Sequence, residues 1–312
     1  LEYQILNMVK DASTEILDND ILVNKLDQSK EQSTIISADL EKAEKTATTI
    51  NKERRGYRPI AVRGSILYFV ISSLANIDSM YNYSLEYFAK IFNQRLERSE
   101  RSDVISKRIE ILINDITISF YEKISRGLFE KDKLLYSFLI LSNLLMSDKQ
   151  ISIFEWTFFL KGTGLPKTEL TEEEFAGKYS QYFNEYNIYR SLVSMKDLSL
   201  GFKNIEEDIK KMTDEDLFMI QEFLTSESPY NVKLPEALEK PMTDYFKLCL
   251  VKVLREEKLI FAIKSFIEKS MGKRYVESPP FSIGGAFDDS LKTTPLIFIL
   301  SPEANPVNFL RL

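Results

Sequence analysis

The residues that could do acid–base or nucleophilic chemistry in this chain are few and poorly placed for it. The 312 residues include no histidine and a single cysteine, Cys249. This composition excludes histidine acid–base catalysis, serine–histidine and cysteine–histidine nucleophiles, histidine-containing zinc sites and thiolate metal clusters. Carboxylates are plentiful, but the runs at 172–174 and 206–208 are adjacent residues, which we expect to face solvent. Neither a self-contained enzyme nor a metal site is expected.

A stretch near the end of the sequence has the order of a phosphate-binding loop. The apolar run at 294–302 lies between turn residues and predicts a buried parallel strand, and an apolar, helix-like stretch follows from Val307. The loop between them has no glycine to let the backbone close on a phosphate and no lysine, and its Glu303 would repel an anion. We predict a degenerate nucleotide loop, formed by Ser301, Pro302, Glu303, Asn305 and Pro306.

A second candidate site is a basic cluster between two helical segments. Five basic residues between positions 52 and 63 are opposed by one acidic residue, whereas the whole chain has a formal net charge of −6. A basic point on an acidic chain favours docking of an acidic partner. The alternative is a solvated turn whose charges only keep it soluble. The residues assigned to partner binding are Lys52, Arg54, Arg55, Tyr57 and Arg58.

The element that must position this cluster is a coiled-coil hairpin predicted over about residues 20–90. Apolar or small residues recur at steps of four and three from 22 to 50, which is a heptad seam. Glycine and proline interrupt the pattern between 56 and 64, and the spacing resumes from 67 to 88. We expect the two helices to fold back antiparallel. Serine and alanine in the first seam predict little burial per turn, so this arm could slide or bend at modest cost.

The rest of the chain also has helical patterning, beyond a charged link that marks a boundary near residue 102. Apolar faces predict helices at 109–120, 134–146 and 155–160, and a pair of helices over 242–271. Cys249 in that pair is expected to be a buried small hydrophobe. A cluster of aromatic residues at helical spacing indicates core packing rather than base stacking, because the neighbouring charges are mixed in sign. Its members are Tyr179, Tyr182, Phe183, Tyr186 and Tyr189.

The sequence also argues against two classes of partner. The negative net charge and the lack of a basic stripe with interleaved aromatic residues argue against a nucleic-acid partner. The start of the sequence shows no signal peptide or membrane span, so no membrane partner is expected.

Several stretches, spread over nearly the whole chain, resemble the dynein heavy chain in the order in which that family has them. The matching stretches are LExQIL at 1–6, ILDND at 16–20, LDQSK at 26–30, YxPxA at 57–61, RGSILYF at 63–69, MYxYSL at 80–85, RGLFE at 126–130, FKL at 246–248 and TPLIFILSP at 294–302. Two places depart from the family. Arg255-Glu256-Glu257-Lys258 stands where the family has Arg-Pro-Asp-Arg, and the loop at 301–306 lacks the glycine and aspartate of Ser-Pro-Gly-x-Asp-Pro, which argues further against nucleotide binding.

The resemblance implies a mainly α fold made of parts of two AAA+ modules. Residues 1–102 would be the helical small subdomain of the fifth module, with the hairpin as its strut, or buttress. Residues 103–312 would be the helical N-terminal part of an incomplete sixth module, with a single buried strand near the end. The parent protein would be an ATP-driven, minus-end-directed microtubule motor. This piece would bind no cofactor, because ATP and Mg²⁺ would bind in other modules.

The resemblance also implies a mechanical role. The strut would brace the microtubule-binding stalk, and the piece would relay conformational change of the ring to it without a catalytic site. The implied partners are the stalk coiled coil, neighbouring AAA+ modules of the same heavy chain, microtubules through the stalk only, and dynein intermediate and light chains. A cytoskeletal, ciliary or axonemal location is favoured over the general cytoplasm, chiefly through the RGS stretch at 63–65. The alternative is a helical coiled-coil scaffold or adaptor that holds a partner and transmits nothing.

Overall fold

The computed structural model describes residues 10, 20–162, 168–198, 202–277, 283–290, 297–298, 305 and 307. The regular structure within these residues is helical and includes no strand, which confirms the mainly α fold. The strand predicted at 294–302 lies outside the described residues except for Ile297, which is 82% exposed, and Phe298. Two compact units are present, Leu1–Val62 with Glu100–Ile111 and Arg63–Ser99 with Leu112–Leu312. The predicted boundary between AAA+ modules near residue 102 stays a prediction.

The longest element of the first unit is helix α1, Asp20–Gly56, with 37 residues. At about 1.5 Å per residue it is roughly 55 Å long. Its predicted heptad seam is largely exposed: Leu26 is 41% exposed, Leu40 55%, Ile50 56% and Ile36 60%. An apolar seam with this exposure is what a helix shows when its coiled-coil partner is not packed on it. The pairing of α1 with a second helix therefore stays a prediction.

The second arm is not the single helix that the spacing from 67 to 88 predicts. Only Tyr57 separates α1 from α2, Arg58–Ser73, so Pro59 and Gly64 lie inside a helix instead of interrupting it. Proline is tolerated there because the first helical turn has no intrahelical partner for its amide. The real break comes later, where a 3₁₀ turn, Leu74–Asn76, and a turn at Asp78 precede α3, Leu85–Arg98.

Seam residues of this second arm are instead buried in the core of the second unit. Leu67, Val70 and Leu74 are at most 2% exposed. The hydroxyl of Tyr81 donates to Asp132 Oδ2 at 2.6 Å and accepts from the amide of Phe129 at 3.1 Å. These contacts join the arm to α5, Glu130–Ser147, and to the loop that connects α5 with α4, Ile105–Ser125.

One stretch, Arg58–Asn76, is long and apolar enough by length and composition to cross a membrane. Four of its apolar residues, Leu67, Val70, Ile71 and Leu74, are buried in the protein, whereas Val62 is 42% exposed and Phe69 69%. Only part of the stretch therefore contributes to the core.

The remaining helices complete the second unit. They are α6 Ile153–Lys161, α7 Glu172–Lys178, α8 Ser180–Phe183, α9 Tyr186–Val193, α10 Ile205–Lys211, α11 Asp214–Thr225, α12 Glu236–Glu239, α13 Asp244–Leu254, α14 Leu259–Met271 and α15 Ile283–Asp289. The predicted pair of helices over 242–271 is confirmed as α13 and α14, and α14 ends at Gly272, whose φ of +96° favours glycine.

The aromatic cluster is part of this core, as predicted. Tyr179, Tyr182, Phe183 and Tyr189 are at most 3% exposed, and the rings of Phe183 and Tyr189 meet edge to face at 5.7 Å. Cys249 is fully buried, and desolvation raises the pKa of its thiol well above the usual range. A buried thiol that stays protonated is inert as a nucleophile, which agrees with a packing role.

Candidate partner-binding surface

The basic cluster lies where α1 is followed by α2: Lys52, Arg54 and Arg55 are at the end of α1, Tyr57 follows it, and Arg58 is the first residue of α2. Lys52, Arg54, Arg55 and Arg58 are exposed, and Tyr57 is 39% exposed. The amide of Tyr57 donates to the carbonyl of Arg54 at 3.2 Å, which closes the helix at the point where the basic residues gather. Arg54 and Arg55 lie in the last turn of α1, where cations are favoured because the unpaired carbonyls of a helix C-terminus carry partial negative charge.

The charges of this cluster are not neutralised by the part of the chain that the structure describes. None of the four exposed cations forms an ion pair with a described carboxylate. Farther back on α1 two cations are matched: Lys45 Nζ lies 2.6 Å from Glu41 Oε1, and Lys42 Nζ lies 3.9 Å from Asp39 Oδ1. The unmatched positive charge is therefore concentrated at the end of the helix, where it can attract an acidic partner.

Arg63, the fifth basic residue of the sequence cluster, does not share this environment. Its guanidinium donates to Thr117 Oγ1 at 3.1 Å, and burial lowers its pKa. It lies in the core-facing part of α2 and holds that helix to α4. The spacing of charges along the sequence does not distinguish Arg63 from its exposed neighbours. What distinguishes it is its helix face, which it shares with Leu67 and Val70, one and two turns later, and both of these residues are buried.

The predicted degenerate nucleotide loop lies mostly outside the described residues. Ser301, Pro302, Glu303 and Pro306 lie outside the described residues. Asn305 is described, and its side-chain oxygen accepts from the amide of Val307 at 3.1 Å. The loop assignment stays a prediction.

The carboxylate runs have structural roles. Glu174 accepts hydrogen bonds from the amide and hydroxyl of Thr171, and the amide bond lowers the pKa of Glu174. Glu206 contradicts the expectation that its run faces solvent: it is 9% exposed and accepts from the amide of Glu169 at 3.0 Å. The sequence signal for this burial was the pair of isoleucines beside it, Ile205 and Ile209, which are buried on the same helix, α10. No group of three or more metal-ligating side chains occurs among the described residues.

A polar cleft of about 280 Å³, which sequence reasoning missed, lies beside α13 and α14. Lys247 Nζ donates to the carbonyl of Val232 at 2.6 Å, and burial lowers the pKa of this lysine. Lys269 Nζ lies 2.6 Å from Asp244 Oδ1 across the same cleft. Glu239 Oε1 lies 3.8 Å from Lys247 Nζ. Lys247 and Lys269 are therefore each paired with a carboxylate, so the cleft has no excess positive charge that would bind an anion such as phosphate.

Comparison with known proteins gives a consistent family. No protein-family model matches the chain. Three relatives match almost all of it: human axonemal dynein heavy chain 6 is 34% identical over 98% of the chain, mouse axonemal dynein heavy chain 3 is 34% identical over 98%, and the Chlamydomonas reinhardtii dynein-1-beta heavy chain of the flagellar inner arm I1 complex is 32% identical over 100%. The chain spans 8%, 7% and 7% of the length of these relatives.

A helical chain that is matched in this way along its whole length belongs to the dynein heavy chain family. Within that family it corresponds to a segment of the axonemal type, which confirms the resemblance found in the sequence. The axonemal and flagellar relatives also support the predicted cytoskeletal, ciliary or axonemal location.

Proposed function

We propose that this chain is a relay segment of an axonemal dynein motor. It has no catalytic site of its own, and it carries conformational change of an AAA+ ring to the microtubule-binding stalk through α1 and the basic cluster. ATP and Mg²⁺ bind in other modules of the parent heavy chain, and the stalk, neighbouring modules and dynein light and intermediate chains are its partners. The observation that carries the proposal is α1 itself, a 37-residue helix with an exposed apolar seam and unmatched cations at its end.

The physical argument is that α1 is suited to transmit displacement. A helix about 55 Å long moves its far end when its base moves, and its exposed seam can pack on another helix at either of two registers. Helices that slide past one another by a turn form a known kind of two-state switch. The basic cluster supports contact with an acidic helix, because charge complementarity sets partner and register more than it adds affinity.

The proposal is tested by reversing two charges of the cluster in the full heavy chain. In an Arg54→Glu, Arg55→Glu variant we expect ATP turnover to continue while microtubule affinity no longer differs between ATP-bound and nucleotide-free states. The measurement is the ratio of microtubule Kd values in the two states, with ATPase activity recorded in parallel.

A matched control carries the same charge change elsewhere. Lys233 and Lys240 are exposed lysines of the second unit, and Lys233→Glu with Lys240→Glu should keep the wild-type ratio of Kd values. Normal coupling in the Arg54→Glu, Arg55→Glu variant would count against the relay.

A scaffold or adaptor that only holds a partner is the second candidate. The exposed seam and the basic cluster of α1 would suit such a protein equally well. The similarity to dynein heavy chains along the whole chain favours the relay. If the cluster only held a partner, the charge reversal would leave the ratio of microtubule Kd values in the two nucleotide states at its wild-type value.

A further inference from the structure

The seam of α1 is largely exposed, and the arm that was predicted to cover it is used elsewhere. Leu67, Val70 and Leu74 of that arm are buried in the second unit. A heptad seam packs on the seam of another helix. The eight seam residues of α1 are Leu26, Ser29, Ser33, Ile36, Leu40, Ala43, Ala47 and Ile50.

The order of side-chain sizes in this seam is the same in both directions: large, two small, two large, two small, large. If two copies of α1 lie antiparallel with Ile36 beside Leu40 of the second copy, every seam position has a partner. The other pairs are Leu26 with Ile50, Ser29 with Ala47, and Ser33 with Ala43. A shift by one heptad in either direction leaves two seam positions of each copy without a partner and places a serine against isoleucine or leucine. The seam is therefore complementary to itself in one antiparallel register.

The serines of the seam can be covered without loss of a hydrogen bond. Thr34, on the same helix, donates its hydroxyl to the carbonyl of Lys30 at 2.8 Å. A buried serine in a helix can make the same bond to the carbonyl four residues earlier. Pairing of Ser29 and Ser33 with alanines therefore leaves no hydroxyl unsatisfied.

The charges along α1 favour the antiparallel orientation. Residues 26–44 include five carboxylates and two lysines, a formal net charge of −3, and residues 45–55 include four cations and one carboxylate, a formal net charge of +3. A parallel pair in register would place Lys52, Arg54 and Arg55 beside the same residues of the second copy. In the antiparallel pair Lys52 lies beside position 24 of the second copy, so the two copies of Lys52 are about 40 Å apart. Repulsion between the basic ends is then largely screened.

The charged residues that flank the seam also bear on this register. Lys30 and Glu44 lie on the same side of the seam, and each comes close to the other residue of the second copy. Neither forms an ion pair with a residue that the structure describes. Asp39 approaches its own copy near the centre, and its contact with Lys42 Nζ, at 3.9 Å from Asp39 Oδ1, reduces this repulsion. Two attractive pairs therefore oppose one repulsive contact.

We propose that α1 pairs with α1 of a second copy of this chain in an antiparallel two-stranded coiled coil, with Ile36 beside Leu40 at its centre. The pair has a two-fold axis, so each contact occurs twice and the interface closes on two copies. Pairing covers the seam, so a chain in this dimer does not at the same time pack its seam on a stalk helix. The proposal goes beyond the relay and does not rest on it.

Disulfide cross-linking between copies tests the orientation and the register. Leu26→Cys and Ile50→Cys are made as separate variants of the chain and mixed under mild oxidation, and the native Cys249 is buried and does not compete. We expect a covalent dimer in the mixture and none from either variant alone, because the same position in the two copies is about 36 Å apart. A covalent dimer from one variant alone, or none in the mixture, would overturn the proposal.

Sedimentation equilibrium of the chain measures the affinity of the dimer. Ile36→Asp should abolish the dimer, because it places a charge in the covered seam. Ile35→Asp is the matched control: Ile35 lies outside the seam and is 55% exposed, against 60% for Ile36, so this variant should still form the dimer. A wild-type chain that stays monomeric at all concentrations, or equal effects of the two variants, would contradict the pairing.

A charge exchange tests the register independently. Lys30→Glu and Glu44→Lys should each weaken the dimer about tenfold, because both attractive pairs become repulsive. The double variant restores opposite charges and should recover the wild-type affinity, and a double variant weaker than either single one would refute the register. A chain that fails these tests would leave the relay standing, and normal coupling after Arg54→Glu and Arg55→Glu in the full heavy chain would leave the dimer standing.

Discussion

At the scale of single residues, Arg255 shows why one departure from the family pattern leaves the fold intact. Its guanidinium donates to the carbonyls of Leu224 and Ser226 at the end of α11 and also contacts Glu257. The last carbonyls of a helix have no intrahelical partner, so Arg255 satisfies groups that would otherwise be left unpaired. Its side chain is only 14% exposed. Arg255 is the residue that this chain shares with the family pattern Arg-Pro-Asp-Arg. The three residues that follow it, 256–258, are the ones that differ from that pattern.

We therefore expect Arg255→Ala to lower the free energy of unfolding of the chain by about 2–3 kcal/mol, because it leaves partly buried carbonyls without donors. Urea unfolding measures the change. Lys211→Ala is the control, since Lys211 forms an exposed i,i+4 pair with Glu207 whose loss should cost less than about 0.5 kcal/mol. An Arg255→Ala variant as stable as Lys211→Ala would show that the carbonyls are satisfied without the guanidinium.

At the scale of elements, the long helix α1 and the paired helices α13 and α14 could be predicted from the sequence, because periodicity and capping residues agree there. The second arm could not, because two signals conflicted. The heptad spacing from 67 to 88 favoured one helix, whereas Asp78 and Ser84 are turn and capping residues and prevailed in the structure. The seam of α1 is largely exposed, and Leu67, Val70 and Leu74 of the arm that was predicted to pair with it are buried in the second unit.

Gly64 is another element-scale feature with a measurable consequence. A Cβ atom at Gly64 would lie 2.7 Å from Phe92 Cε2, so α2 and α3 approach closely at this residue. Overpacking costs about 1–3 kcal/mol, and alanine recovers about 1 kcal/mol of helix propensity. We expect Gly64→Ala to lower the free energy of unfolding by about 1 kcal/mol in urea titrations.

Gly177 provides the comparison for Gly64. It lies in α7, and a Cβ atom added there would meet nothing within 4 Å, so Gly177→Ala should raise stability by about 0.5–1 kcal/mol. Stabilisation of both variants would show that Phe92 moves aside freely and that the close approach of α2 and α3 does not require glycine.

At the scale of the whole molecule, the second unit has a packed helical core, and the first unit contains the long, exposed helix α1. The core holds no assembled chemistry among the described residues: its thiol is buried, its carboxylates cap helices or pair with lysines, and no metal-ligating cluster occurs there. The surface proposed for partner binding is the seam and basic cluster of α1. This arrangement agrees with the mechanical role proposed above.

The most direct test of the relay is whether α1 moves with nucleotide state. Spin labels at Asn51→Cys on α1 and Lys240→Cys in the second unit use exposed positions, and the native Cys249 is buried and will not react. In the full heavy chain, with other reactive cysteines replaced, pulsed electron paramagnetic resonance measures the distance between them. The account predicts that the distance shifts by several ångströms, on the order of one helical turn, between the ATP-bound and nucleotide-free states. The same distance distribution in both states would contradict it.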